Sequence, residues 1–272
     1  MSDSEWIIRF DILYNNITSN QAPGLNMYER CVFLTKAQDE VVKNHLTANS
    51  KGNNLGLGFD DSAKRQIDFS SLVVVKELLY DDSVEKDQID SRSKVIALKE
   101  NNTPINDILA ILNEKLTLLN TTGSTTTIKN EYQVVPISYD EYTRKMLKPY
   151  KRPLKGQAWR LVNSDSDSRY VEIIAGPEAD SLSSGDSLKY TIRYIRQPKP
   201  IIVGQLGTGL TINGYSYDTG DNQINNQTKG CELDPVLYEE ILQRAVELAK
   251  AAWVSTGVEG LQAFSQTGAR SE

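Results

Sequence analysis

Residues 231–253, CELDPVLYEEILQRAVELAKAAW, constrain this chain more than any other stretch. Asp234 is a good N-cap, and Pro235 suits the first helical position, where its missing N–H is not needed. Glu239 and Glu240 follow near the positive end of the helix dipole. Leu237, Ile241, Ala245, Leu248 and Ala252 recur at the helical period, and Tyr238, Leu242, Ala249 and Trp253 widen the stripe. Gly257 is a natural stop. Such a helix at the end of a β-containing chain must bury its stripe against something, and what it docks on decides the fold.

The remaining pattern supplies partners. A short helix is expected over 5–17, with Trp6, Phe10, Leu13 and Ile17 near one face. A longer one is expected over 27–46, capped by Asn26 and striped by Met27, Cys31, Leu34, Ala37 and Val41. Residues 60–69 read as a short charged helix. Strands are expected at 72–79, 94–99, 132–137, 157–162, 170–174 and 188–195. Ile108, Ile111, Leu112, Lys115 and Leu119 predict a helix over 105–119, and TTGSTTT at 121–127 predicts a loop. Ser138 with Glu141 forms a capping box for a short helix over 139–147.

The expected organisation is a helical part at 1–70 and a mixed, mostly β module with inserted helices at 71–203. An extended loop or β-hairpin arm at 204–230, a C-terminal bundle helix at 231–256 and a flexible polar tail at 257–272 complete it. The fold class is α+β, with N- and C-terminal helices bundled around a mostly antiparallel β middle rather than alternating βαβ units.

At 272 residues and 39% hydrophobic content the chain can bury a substantial core. No apolar run approaches a membrane span, and MSDSEW lacks the basic start and apolar run of a signal peptide. Cys31 and Cys231, far apart, read as unpaired thiols of a reducing compartment. The formal net charge of −6 lacks the cationic surplus of nonspecific nucleic-acid binding. The charge is unevenly spread. Residues 77–90 are acidic, with Glu77, Asp81, Asp82, Glu85, Asp87 and Asp90 against Lys86. Residues 144–160 are basic, with Arg144, Lys145, Lys148, Lys151, Arg152, Lys155 and Arg160 and no acid. Both runs read as solvated faces, or as opposite patches that meet between copies of the chain, with DNA binding a further reading of the basic run.

Catalytic signatures are sparse. The single histidine, His45, reads as a surface helix residue, and two scattered cysteines do not complete a zinc site. No G-x-S-x-G elbow or Walker loop occurs, and the G-x-G at 56–58 follows a helix rather than a strand. Asp165 and Asp167 lie in a hairpin turn rather than a calcium loop. Cys31 sits in a core stripe. The chain is read as a non-enzyme with no cofactor and no metal, working through its surfaces. Tyr139, Tyr142, Arg144, Lys148, Tyr150 and Arg152, with Leu248 and Trp253 on the C-terminal helix, are the candidate subunit or partner contacts.

Several phrases carry a resemblance: FDILYNNITSNQAPGLNMYERCVFLTKAQDEVV (10–42), GFDDSAKRQIDFSSL (58–72), VVPISYDEYTRKMLKPYKRPLKGQAWRL (134–161) and the close YTIRYIRQPKPIIV…CELDPVLYEEILQRAVELA (190–249). They resemble head-to-tail adaptor, or ring, proteins of crAss-like short-tailed phages, and more distantly podovirus connectors. The resemblance covers most of the chain and is weakest at 80–130 and 204–230. It implies a virion structural protein at the head–tail junction, assembled as a ring of about twelve copies. Such a ring binds the portal above and further tail or ring proteins below, lets genomic DNA pass without specific binding, and touches no membrane. Another virion part (tail hub, fibre adaptor or capsid-associated protein), or a glycan-directed hydrolase with an unrecognised carboxylate pair, are the alternatives.

Overall fold

A computed structural model describes residues 1–17, 24–46, 69–80, 93–100, 103–122, 125–164, 169–176, 186–217, 227–228 and 230–254 of the chain. The helix expected at 60–69, apart from Phe69 itself, and the tail at 257–272 lie outside them. The chain divides into two compact units: Met1–Leu72 with Gln197–Glu272, and Val73–Arg196.

Among the described residues the first unit holds three α-helices, α1 (Asp3–Ile17), α2 (Met27–Leu46) and α4 (Tyr238–Val254). Helix α1 starts earlier than expected because Ser2 caps it, its Oγ accepting from Glu5 N at 3.3 Å. Trp6, Phe10 and Tyr14 recur every fourth residue and are buried. At the head of α2, Asn26 and Glu29 form a reciprocal box: Glu29 N donates to Asn26 Oδ1 and Asn26 N donates to Glu29 Oε2, each at 2.8 Å. Before α4, the Asp234 carboxylate accepts from Val236 N at 3.0 Å, and Pro235–Leu237 form a 3-10 turn that leads into the helix.

Helix α4 packs on both α1 and α2. Ile241, Leu242, Ala245, Val246, Leu248 and Ala249 are all buried. The Trp6 and Tyr238 rings lie 5.1 Å apart, Arg244 pairs with Glu40 at 2.6 Å, and Lys250 Nζ donates to Leu13 O at 3.2 Å. Ile201, Ile202 and Val203, in an extended segment, are also buried. The polar groups of this segment are met from α2: Ile201 N donates to Thr35 Oγ1 at 3.2 Å, and Gln38 Nε2 donates to Lys199 O at 2.8 Å. Burial of Thr35 and Gln38 on the inner face of α2 is thus balanced by hydrogen bonds to backbone that has no ladder of its own.

Within 204–230, Ile212 and Tyr215 exchange two backbone bonds of 2.9 Å around Asn213 and Gly214, whose φ angles of 51° and 81° suit a type I′ turn. Strands β10 (Ser216–Tyr217) and β11 (Gln227–Thr228) pair in parallel.

The second unit is a seven-stranded, mostly antiparallel curled sheet in the order β1-β9-β5-β6-β7-β8-β2. Its strands are β1 (Val73–Leu79), β2 (Lys94–Ala97), β5 (Ile108–Thr122), β6 (Thr125–Pro136), β7 (Gln157–Ser164), β8 (Arg169–Ala175) and β9 (Asp186–Arg196). A two-stranded ladder of β3 (Lys99–Glu100) and β4 (Thr103–Pro104) follows β2. Within this sheet, among the described residues, β6 and β7 are the one parallel pair, and the crossover between them carries α3 (Tyr139–Met146). All seven strands contribute to one core that includes Leu78, Ile96, Leu116, Tyr132, Ala158, Ile173 and Tyr190. Lys76 on β1, at one end of the sheet, bonds Glu100, just past β2 at the other end, at 2.6–2.7 Å. The sheet therefore curls until its two edges approach. Register shifts in β5 at Ile108/Ala110, Ile111/Asn113 and Leu118/Leu119 add the local bending that curling needs.

Two expectations are corrected here. Residues 105–119 are not a helix, since β5 runs Ile108–Thr122. The helical spacing came from residues on both faces of a strand, which is buried at Glu114, Leu116, Thr117 and Leu118. The threonines at 121, 122 and 125–127 are not loop either. They extend the β5–β6 ladder, with Thr121 opposite Thr126 and Thr122 opposite Thr125, as their β-branching favours.

Candidate assembly surface

The short crossover helix α3 begins at the expected Ser138 cap, whose Oγ accepts from Glu141 N at 3.3 Å. Its inner side is apolar. Tyr142, Met146 and the preceding Ile137 pack on Trp159, Leu161 and Ile174, on the side of β7 and β8 opposite the main core. Lys145 Nζ lies 5.6 Å from the centre of the Trp159 ring.

Beyond α3 the chain turns sharply. Lys148 N donates to Lys145 O at 3.1 Å, Lys151 N to Lys148 O at 2.9 Å and Gln157 N to Leu154 O at 3.0 Å. The Arg152 guanidinium folds back to Met146 O at 3.4 Å, near the helix C-terminus where a cation is favoured. Gly176 closes the base: a Cβ there would stand 2.6 Å from Leu154 O. This tied turn presents three large apolar side chains to solvent, Leu147 (80% exposed), Tyr150 (96%) and Leu154 (62%). Around them lie Arg144, Lys148, Lys151 and Arg152, all exposed.

The candidate contacts separate accordingly. Tyr139, Arg144, Lys148, Tyr150 and Arg152 lie exposed along this one segment, while Tyr142 turns half inward. Burial first, then the charge of Glu172, pushes the Tyr139 phenol above its usual range. Leu248 belongs to the other unit and is only 6% exposed, so it packs within the subunit. Trp253 lies on the last turn of α4, and its side chain is outside the described residues. Leu147 and Leu154 were missed. Their signal was present, apolar residues set singly among lysines and arginines just past a helix end.

Arg160 leaves the basic run altogether. It turns to the inside of the sheet and pairs with Glu114 at 3.2 Å, the two side chains 11% and 4% exposed. Burial pushes the Glu114 carboxyl up to about 7, against the opposing pull of Arg160 and the Tyr190 hydroxyl. The thiols are also buried groups. Burial raises Cys31, and raises Cys231 up to about 12, which leaves neither as a ready thiolate. His45 sits 3.3 Å from Glu240 on α4 and beside Phe69. Among the described residues, no group of three or more His, Cys, Asp or Glu could hold a metal ion, and no helix is long and apolar enough to cross a membrane.

An α+β chain whose two most exposed large apolar side chains among the described residues, Tyr150 and Leu147, sit on a basic turn has the character of an assembly protein. The comparisons give the family. Residues 1–259 match the model of phage tail ring protein 3/4, and the chain belongs to that crAss-like phage ring protein family. It is 43% identical to "Ring protein 4/5" of Bacteroides phage crAss001 over 275 aligned residues, covering 100% of both chains. It is 29% identical to "Ring protein 3" of the same phage over 254 residues, covering 92% of this chain and 95% of that one. The chain is thus a tail-related structural protein of a phage virion.

Proposed function

We infer that this chain is the subunit of a closed ring at the head-to-tail junction, of about twelve copies. The ring attaches below the portal, lengthens the DNA channel and docks the next tail component. The observation that carries this reading is the match, over the whole chain, to a protein named as a ring. A second relative in the same phage carries a different ring number, which supports a place among several rings of related subunits. A net charge of −6 suits a conduit, because strong attraction to DNA phosphates would slow passage. A helical unit and a β module in one chain also fit the podovirus-connector layout. The subunit acts by contact, with no catalytic step and no cofactor.

The test is imaging of the purified protein with portal, combined with mass measurement. Rings that stack on the portal support the reading. A strictly monomeric chain that never enters the particle refutes it.

A further inference from the structure

We propose that the basic, apolar turn at 147–154 docks on a second copy of this chain, against the acidic outer side of α4 and the Val236 that precedes it. This rests on the ring reading and deepens it. It joins the β unit of one copy to the helical unit of its neighbour.

The turn has the composition of an interface centre. Tyrosine and arginine are enriched in such centres, and Leu147, Tyr150 and Leu154 stand exposed together. Its backbone bonds and the return of Arg152 to Met146 O tie it before contact, which lowers the ordering cost of docking. Its charge is not cancelled locally. Residues 144–155 carry six basic groups and no acid. Lys145 faces Glu141, but among the described residues no carboxylate pairs with Arg144, Lys148, Lys151 or Arg152. The exposed cations of the sheet differ: Lys115 is matched by Glu131, Lys129 by Asp186 and Lys189 by Glu77.

The charge identifies the occupant, and the helical unit supplies the complement. Glu239, Glu240, Gln243 and Glu247 form the exposed side of α4, with Val236, 69% exposed, just before it. Carboxylates outnumber cations there. Arg9 is shared by Glu5 at 2.9 Å and Glu239 at 3.6 Å. Arg244 is shared by Glu40 at 2.6 Å and Glu247 at 3.0 Å. Each guanidinium faces two carboxylates and leaves one negative charge in excess. Asp234 adds another, since its carboxylate caps Val236 N and no cation pairs with it among the described residues. The one lysine of the helix, Lys250, turns to Leu13 O. An apolar group among acids on one copy thus suits apolar groups among bases on the next, while like faces repel. A ring closes through such heterologous contacts. Exposed ion pairs contribute little each, so the apolar side chains carry the affinity and the charges select the face. Duplex DNA is the rival occupant for a basic surface, but phosphate contacts give no use to Leu147, Tyr150 and Leu154.

The test uses the full chain, followed by analytical ultracentrifugation and negative-stain imaging. Tyr150→Glu and Leu147→Asp are expected to weaken association roughly tenfold or more each. Their melting temperatures, taken dilute enough that the wild type is monomeric, should match the wild-type value, because both side chains are exposed. Lys148→Glu with Lys151→Glu should weaken association, and so should Glu239→Lys with Glu247→Lys. All four changes in one chain should restore it. An equal mixture of the two double variants should restore it too, because alternating copies then present opposite charges at every contact. Wild-type rings with equally good rings from the substituted chains overturn the proposal alone. Loss without restoration by either charge exchange overturns α4 as the receiving face. A Tyr150→Glu ring that is intact but binds duplex DNA less well overturns the proposal in favour of DNA. A wild-type chain that never exceeds monomer mass instead refutes the ring reading beneath it.

Discussion

Glu114 and Arg160 are the residues whose neighbourhood departs most from what their place in the sequence suggests. One was expected in a helix and the other on a basic face, yet they meet inside the curled sheet. The Glu114 carboxyl titrates near 7 in the folded chain against a usual 4.5. Folded chains therefore hold a proton that unfolded chains have released between those two values. The carboxyl's contribution to stability is fully present below about 4.5 and is lost as pH rises to about 7. The difference between wild-type and Glu114→Gln melting temperatures, measured from pH 4 to 8, should show this slope; parallel curves would contradict it. Leu248 makes a second case. Its place in the apolar stripe was legible, and it is buried against the other helices of its unit. Leu248→Asp should cost about 3–5 kcal/mol in urea unfolding, since it puts a charge at a buried position. Gly176→Ala should also destabilise, because the added methyl meets the backbone carbonyl of Leu154 rather than a yielding side chain. That requirement was not legible, as it comes from a contact distant in sequence.

The elements were legible where local signals agreed. Asp234-Pro235 and the stripe behind them marked α4, and Ser138 with Glu141 marked α3. The strands 157–162 and 170–174 were visible as alternating or β-branched runs between polar turns. The cap of α2 was half visible. Asn26 was recognised, but Glu29 as its reciprocal partner was not. Asn26→Ala should lower stability by about 1 kcal/mol, and Glu29→Ala by less, in thermal or urea unfolding. Equal stability of all three chains would mean the box contributes nothing. Strand β5 was misread for a physical reason. Ile108, Ile111, Leu112, Lys115 and Leu119 do fall on one helical face, but β5 lies between two strands and has apolar residues on both sides. Two bulges before Glu114 also shift its register and blur the two-residue alternation. The extended segment at 199–203 escaped notice for a related cause. Its hydrogen bonds go to Thr35, Gln38, Gly230 and Glu232, all distant in sequence, so no periodicity of its own records them.

At the scale of the whole molecule, the two-unit division was visible only in outline. A β part and a helical part in which the C-terminal helix joins the N-terminal ones could be read, but not that the extended segment at 199–203 packs into that helical unit. Long-range return of a chain leaves no local trace, except the unmet stripe of α4 that demanded a partner. The same reasoning applies beyond the subunit. Leu147, Tyr150 and Leu154 are apolar groups still uncovered after folding, on a turn held rigid by its own hydrogen bonds. Among the described residues nothing covers Tyr150, which is 96% exposed. Family membership makes a partner that covers it part of a virion, and the ring account makes it first of all another copy. The most direct measurement is a reconstruction of the phage particle at side-chain resolution. The account predicts a closed ring of this chain on the tail axis, next to the portal, with Tyr150 of each copy buried against its neighbour. A particle in which the chain occupies a non-cyclic position, or is absent, would contradict it.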